Sequence, residues 1–199
     1  MLRITLIVLI AFSSLLVNFR AMSYDEPTYK IIKKTSSYEI RLYDGRTVAQ
    51  TAYSEESIGF KTLFKYISGY NKAAKEIKMT TPVTQGTKID MTIPVSQTKN
   101  EKNKIMRFFL PKKYSKTTAP EPINPDVEIL DLPQTYYAVI SYSGFASDEN
   151  FEKNTEKLEA SLDKDGVMAI GPPIKATYNS PFTLPFLRRN EAMLPLKWE

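Results

Sequence analysis

The sequence contains no cysteine and no histidine among its 199 residues. These two residue types supply the ligands of structural zinc and iron–sulfur sites, and the nucleophile or base of most hydrolases. Such sites are therefore excluded, and catalysis would have to use carboxylates, lysine, tyrosine or serine. No pairing of a nucleophile with a base can be recognised among those side chains, so we predict a protein that is not an enzyme.

Long runs of one charge are also missing. Lysine and arginine total 27 against 22 aspartates and glutamates, and the basic clusters are pairs: Lys33-Lys34, Lys112-Lys113 and Arg188-Arg189. Nucleic-acid-binding domains carry a basic patch or stripe, so nucleic acid is not a predicted partner. The length fits one domain, and the 42% hydrophobic content is ordinary for a folded protein.

One apolar run stands at the N-terminus. Arg3 precedes a largely apolar stretch over residues 4–17, which is typical of a secretory signal, whereas a membrane-spanning helix needs about 20 apolar residues. We therefore predict a signal peptide over residues 1–21, or an uncleaved N-terminal membrane anchor as the alternative. Residues 22–199 would then form one exported domain, periplasmic or secreted, that meets a membrane only if the N-terminal segment is retained.

The rest of the chain shows the same order of elements twice, each time two strands and then an amphipathic helix. The predicted elements are strands at residues 38–43 and 47–53 with a helix ending near Gly69, and strands from Val127 and Gln134 with a helix capped by Asp148 and ending near Gly166. The strands of the two copies lie 89 residues apart. This spacing predicts an α+β domain of two similar halves, with further strands at residues 104–110 and 189–196.

A short phrase, Met-Thr-Xaa-Pro-Val, also occurs twice, at residues 79–83 and 91–95, on either side of the turn signal Gln85-Gly86-Thr87. This arrangement predicts a hairpin in which Met79 faces Val95. The pairing would put the prolines outside and would place five side chains on one apolar face: Met79, Val83, Met91, Ile93 and Val95.

Several motifs, in this order, resemble the SOUL haem-binding protein family. They are Tyr38-Glu39-Ile40-Arg41-Leu42-Tyr43, Lys78-Met79-Thr80-Thr81-Pro82-Val83, Met106-Arg107-Phe108-Phe109-Leu110-Pro111, Tyr178-Asn179-Ser180-Pro181-Phe182 and Phe186-Leu187-Arg188-Arg189-Asn190-Glu191. The resemblance covers nearly all of the chain after the apolar run. It implies two pseudo-symmetric halves, each a curved antiparallel sheet with one helix, that form a distorted barrel.

The resemblance also implies a cofactor or cargo: haem or a related tetrapyrrole, held in a hydrophobic cleft beside the first helix for carriage or buffering by a monomer. The positions that it points to are Phe60, Leu63, Phe64 and Lys65 in the helix, with Tyr178, Phe182, Phe186 and Arg188 in or beside a facing loop. Histidine ligation of iron is excluded here, although tyrosine or methionine could serve. Binding would otherwise depend on apolar contact and on charge pairing with the propionates.

Alternatives to this interpretation stay open. The cleft could accept another flat amphipathic molecule as a general binding or sensor module, with haem not the natural ligand. Leu63 lies in an apolar stripe typical of a buried helix face, and Lys65 could extend into water. Arg188 and Arg189 could bind an anionic group of a ligand, or could form a structural ion pair with a residue such as Glu191.

Overall fold

The computed structural model describes residues 26–72, 89, 91–99 and 104–198. These residues form nine strands and two α-helices. In chain order they are β1 (Tyr29–Lys34), β2 (Glu39–Tyr43), β3 (Arg46–Tyr53), α1 (Glu56–Ile67), β4 (Val95–Lys99), β5 (Lys104–Phe109), β6 (Glu128–Leu132), β7 (Thr135–Tyr142), α2 (Asp148–Asp165), β8 (Ile174–Thr177) and β9 (Asn190–Leu196). Neither helix is long and apolar enough to cross a bilayer, within the part of the chain that the structure describes.

The strands form one curled antiparallel sheet in the order β1-β2-β7-β9-β8-β4-β5-β3-β6. From β2 to β6 this order is symmetric about its centre. Strands β2, β3, β4 and β5 of the first half are as far from the centre as their counterparts β6, β7, β8 and β9 of the second half. Glu39 and Glu128 open equivalent strands, as do Arg46 and Thr135, and both pairs are 89 residues apart. The predicted duplication and the α+β class are therefore confirmed.

The two halves exchange their first strands. Strand β2 of the first half pairs with β7 of the second, with Glu39 opposite Val139. Strand β6 of the second half pairs with β3 of the first, with Gln50 opposite Glu128. Each half thus completes the sheet of the other, and the strands β4 and β8 meet at the centre.

Alternate residues of each strand point to opposite faces of the sheet. Both helices cover the same one of these two faces. Helix α1 packs on β3 and β5, and helix α2 packs on β7 and β9. The helices contribute Leu63, Tyr66, Ile67, Leu158 and Leu162 to two buried clusters. Full burial of such an apolar side chain stabilises the fold by about 1.5–3 kcal/mol.

The opposite face, which we call the inner face, carries a third buried cluster: Tyr43, Val139, Ala176, Tyr178 and Met193. The alternation is direct along the strands, since Ala138 and Leu194 belong to the α2 cluster while their neighbours Val139 and Met193 belong to the inner face. The curled sheet therefore has an outer core under the helices and an inner core of its own.

The ends of α2 show one correction. The cap is Ser147, whose hydroxyl accepts a hydrogen bond from the backbone N–H of Asn150 at 3.2 Å. Asp148, the predicted cap, lies in the first turn and instead binds Lys175 at 2.8 Å. The helix ends as predicted at Gly166, which has a left-handed backbone with φ of 67° that glycine adopts without strain.

The predicted hairpin over residues 79–95 lies mostly outside the described residues. In the part that is described, residues 91–94 belong to no strand and β4 begins at Val95. Val95 pairs with β5 on one side and with β8 on the other. The predicted pairing of Val95 with Met79 is therefore wrong, because both edges of the strand are already occupied.

The predicted common apolar face of this segment is also wrong. Met91 and Val95 pack against the α1 cluster, but Ile93 packs against the inner-face cluster. Pro94, predicted to lie outside, is buried, and so is Thr92, whose hydroxyl donates to the carbonyl of Phe109. Strict alternation requires a regular strand, and residues 91–94 do not form one.

Candidate functional site

A groove of about 500 Å³ runs beside α1, and we call it the α1 groove. One wall comes from the helix and the turn that follows it. The other wall is the extended crossover before β6. The lining residues are Ile58, Lys61, Thr62, Lys65, Tyr66 and Tyr70 on the first wall, and Pro122, Ile123, Asn124, Pro125 and Val127 on the second.

The two walls are joined at one end. The buried hydroxyl of Tyr66 donates to the carbonyl of Pro120 at 2.8 Å. The backbone N–H of Lys72 donates to the carbonyl of Glu121 at 2.8 Å, and the two side chains form an ion pair. Asn71 forms a single β-bridge with Pro122. The groove is therefore preformed by the fold, as most small-molecule sites are.

The rim of the α1 groove combines apolar side chains with cations. Ile58, Tyr70 and Ile123 are 51%, 55% and 44% exposed, so the groove presents apolar surface to the solvent. Lys61 and Lys65 are exposed and lie one helical turn apart, so both face the same side of the helix. The arrangement can hold a flat apolar body and pair its acidic groups with two ammonium groups.

A second exposed feature of α1 is an aromatic ridge formed by Phe60 and Phe64. Their rings stack with centroids 5.9 Å apart, and the rings of Phe60 and Phe108 form an edge-to-face pair with centroids 5.3 Å apart. The rings are 38% and 46% exposed. Neither lines the α1 groove, so the helix presents two different faces to a ligand.

The ridge lies on the side of α1 that is turned toward α2. Glu56 is one turn before Phe60, and its carboxylate is 3.6 Å from the ammonium of Lys175. Lys175 also binds Asp148 at the start of α2. Lys175 has a buried side chain, so it anchors the N-termini of both helices over the centre of the sheet.

The predicted facing loop over residues 178–186 is held against the turn between β7 and α2. The guanidinium of Arg188 donates to the carbonyls of Thr183 and Pro181 at 2.7 and 2.6 Å, and it lies over the ring of Phe145. The backbone N–H of Gly144 donates to the carbonyl of Pro185. These contacts fix the loop against the turn between β7 and α2.

The eight predicted site residues therefore fall into three groups. Leu63 and Tyr178 are buried core residues. Phe60, Phe64 and Lys65 are exposed on α1, with Lys65 alone in the α1 groove. Phe182 and Phe186 are exposed on the loop, at 94% and 71%, and Arg188 braces that loop. Ligand contact by any of them stays a prediction.

Arg189 has a structural role. Its guanidinium is 3.1 Å from the fully buried carboxylate of Glu191 and 3.1 Å from that of Glu26, and it lies over the ring of Tyr178. Burial lowers the pKa of Arg189, but the charges of Glu191, Tyr178 and Glu26 together raise it above the ordinary arginine value. Of the two possibilities left open for this residue, the structural ion pair is the one observed.

Sequence reasoning missed most of the α1 groove. Ile58, Lys61 and Tyr70 are outside the buried stripe of the helix, and Ile123 comes from a segment that follows some sixty residues later. The signal present in the sequence was the cluster of prolines in the crossover, which keeps that wall extended. In the described part of the chain, no three carboxylate, cysteine or histidine side chains converge as metal ligands.

Comparison with known proteins decides the family. The model of the SOUL heme-binding protein family matches residues 24–195. The chain belongs to the SOUL haem-binding protein family. Human Heme-binding protein 2 is 32% identical over 170 residues, which cover 82% of this chain and 80% of the human protein.

Solved structures share the fold of this SOUL protein at much lower identity. A protein from Listeria innocua described as a hydrolase has a TM-score of 0.58 at 9% identity, and covers 83% of this chain and 94% of its own. The C-terminal domain of EcmrR has a TM-score of 0.56 at 8% identity, over 86% of this chain and 99% of that domain. These likenesses concern the fold alone.

Proposed function

We propose that this SOUL protein is an exported, non-enzymatic binding protein that holds haem or a related tetrapyrrole in the α1 groove, for carriage or buffering. The observation that carries the proposal is a preformed groove of about 500 Å³ with exposed apolar residues and two lysines at its rim. Membership of a family named for haem binding supports the ligand class. The apolar N-terminal run supports export.

The groove suits the two chemistries of a tetrapyrrole. Ligand sites of about 300–1,000 Å³ bury most of a small molecule, and the α1 groove falls in that range. The macrocycle would lie against Ile58 and Ile123. Its propionates would pair with Lys61 and Lys65, because an ammonium and a carboxylate form a charge-assisted hydrogen bond.

Iron would have few partners in this groove. With no histidine or cysteine in the chain, Tyr70 is the exposed groove residue whose phenol can reach a bound metal, and tyrosine is a known haem ligand. The other phenol, on Tyr66, already donates to a backbone carbonyl. We therefore expect affinity to come mainly from the macrocycle and the propionates.

A direct test is titration of the full chain with ferric haem and with iron-free protoporphyrin, followed at the Soret band. We expect saturation with both and similar dissociation constants. Ile123→Asp, which places a charge on the groove wall, should weaken both. Phe64→Asp provides the matched comparison on the aromatic ridge and should have little effect.

The outcomes separate the sites. If Phe64→Asp weakens the binding of both pigments and Ile123→Asp does not, the ligand lies on the aromatic ridge. If neither pigment saturates the parent protein, the proposal is rejected. Lys61→Glu and Lys65→Glu should each weaken binding by about fivefold at low salt, since an exposed pair is worth up to about 1 kcal/mol. Lys153→Glu, an exposed change on α2, is the control.

A second candidate function is a binding module for another flat amphipathic molecule. The absence of histidine and cysteine favours it, because nothing in the chain then selects strongly for iron. A comparison of ligands distinguishes the two. Tighter binding of haem and protoporphyrin than of smaller metal-free aromatic acids supports the tetrapyrrole, whereas the reverse order supports the general module.

A further inference from the structure

A second cavity, which we call the inner cavity, lies on the inner face of the sheet where the central strands β4 and β8 meet. It shares no lining residue with the α1 groove and has a volume of about 80 Å³. One water needs about 10–15 Å³ in this measure. The cavity therefore has room for several waters or for one small organic ion.

Arg107 lines this cavity from β5, together with Arg46 and with Asp44, whose carboxylate accepts a hydrogen bond from the hydroxyl of Thr28. The Nε of Arg107 donates to the side-chain oxygen of Gln50 at 2.9 Å, and the amide of Gln50 is in turn fixed by Glu128. Among the described residues no carboxylate lies within ion-pair distance of the guanidinium. Burial lowers the pKa of Arg107, and the nearby group that opposes this shift is the phenol of Tyr137.

Two other arginines of the inner face, Arg41 and Arg189, have carboxylate partners. Arg41 binds Glu39 at 2.8 Å and Glu191 at 3.0 Å, and Arg189 shares Glu191. A buried charge without a partner is strongly unfavourable. Arg46 lines the same cavity and donates to the backbone carbonyls of Glu26 and Leu110. Arg107 differs from Arg41 and Arg189 because it has a neutral side-chain partner and a cavity where those two have carboxylates.

The cavity has a polar side and an apolar side. Ser96 is buried, lines the cavity and lies directly opposite Arg107 across the β4–β5 pair. Side chains opposite each other in a sheet are close enough to contact one ligand. Met193 and Ile174, which pair with each other between β8 and β9, line the same cavity with apolar surface.

We propose that the inner cavity binds a small carboxylate, with its anionic group on Arg107 and Ser96 and its short apolar part against Met193 and Ile174. A guanidinium presents two parallel N–H donors that match a carboxylate. Such a ligand would bring a carboxylate to Arg107, which has none within ion-pair distance among the described residues. The site is independent of tetrapyrrole binding, because the α1 groove lies on the other side of the sheet.

The test uses the full chain in low-salt buffer and the probes propionate and propionamide, which have nearly the same shape and differ in charge. Binding is followed by calorimetry and by the rise in the urea midpoint of unfolding. We expect saturable binding of propionate and at least about tenfold weaker binding of the neutral amide. A tenfold change corresponds to about 1.4 kcal/mol.

Variants identify the residue. Arg107→Met should reduce propionate affinity by at least about tenfold while the anion-free protein remains folded, since it removes a half-buried charge. Arg107→Lys keeps the charge but loses the two parallel N–H donors of the guanidinium. It should bind propionate several-fold more weakly than the parent. Lys153→Met is the control for loss of one surface charge. Failure of propionate to bind the parent, or unchanged binding in Arg107→Met, would overturn the proposal.

Discussion

Replacement of Glu191 by glutamine tests the most heavily bonded carboxylate of the inner face. Glu191 is fully buried and makes four contacts: Arg41 at 3.0 Å, Arg189 at 3.1 Å, the hydroxyl of Ser141 at 3.1 Å and the hydroxyl of Tyr178 at 2.6 Å. Glutamine keeps the shape but removes the charge. Two guanidinium groups would then lose their shared counterion.

The expected loss follows from what each arginine retains. Breaking a buried ion pair costs about 3–5 kcal/mol. Arg41 keeps Glu39 at 2.8 Å, and Arg189, which is partly exposed, keeps Glu26 at 3.1 Å. The loss should therefore lie near the lower end, at about 3 kcal/mol of unfolding free energy. Single domains have about 5–15 kcal/mol in total, so the variant should still fold.

Urea unfolding followed by circular dichroism measures this loss. With a slope of about 2 kcal/mol per molar urea, the midpoint should fall by about 1.5 M. Glu128→Gln is the matched control, because that carboxylate is exposed and accepts one hydrogen bond from Gln50. If the two variants unfold within about 0.5 kcal/mol of each other, a range normal for surface changes, the buried charge of Glu191 does not hold the inner face together.

Three smaller predictions concern stability and pH. Gly59→Ala should destabilise by about 1 kcal/mol in urea unfolding, because the added Cβ would lie 2.9 Å from the Cβ of Tyr53. Lys175 lowers the pKa of Asp148. A small stabilisation is therefore present above the ordinary carboxyl pKa and is lost as the pH falls through the lowered pKa. Unfolding curves measured between neutral pH and acid should show this loss of stability. Burial raises the pKa of Tyr38 and of Tyr53 to about 12, so tyrosinate absorbance should develop late in an alkaline titration and stability should fall as the pH rises above the ordinary phenol value.

Each of these has its own contrary result. Ser57→Ala, an exposed change in the same helix, should be harmless, and equal stability of Gly59→Ala would contradict the steric argument. Asp148→Asn should flatten the acid dependence, and an unchanged slope would assign it to other carboxyls. Tyr38→Phe should remove part of the alkaline loss, since the phenol donates to Asp165 at 2.6 Å only while protonated.

Much of the fold could be predicted because its signals are local. The four-residue spacing of Leu63 and Ile67 identifies the buried stripe of α1. Alternation identifies β2 and β7, and the fixed spacing of 89 residues relates the halves. Strand β8 was missed because it has only four residues and includes Lys175, a residue type depleted in strands.

The candidate site was less predictable because its parts are distant in sequence. The α1 groove needs Lys61 and Ile123 side by side, and no periodicity relates a helix to a loop some sixty residues later. The inner cavity depends on curling of the whole sheet, which brings Arg107 of β5 and Met193 of β9 to the same cavity. Pairing of Arg189 with Glu191 was predictable as one of two options, since residues two apart in a strand share a face.

The exchange of β2 and β6 between the halves makes each half incomplete by itself. A single half contributes its edge strand to a partner. Its sheet is therefore complete only in a two-fold symmetric pair, which is the arrangement of a homodimer. Gln50 and Val139 are 89 residues apart in equivalent strands, and they pair with Arg107 and Met193 respectively. Those two residues therefore occupy equivalent positions about the central axis. A symmetric dimer would present two identical groups at these positions. Joining the halves in one chain lets one position be a cation and the other a thioether. A cavity on the axis can therefore distinguish the two ends of its ligand.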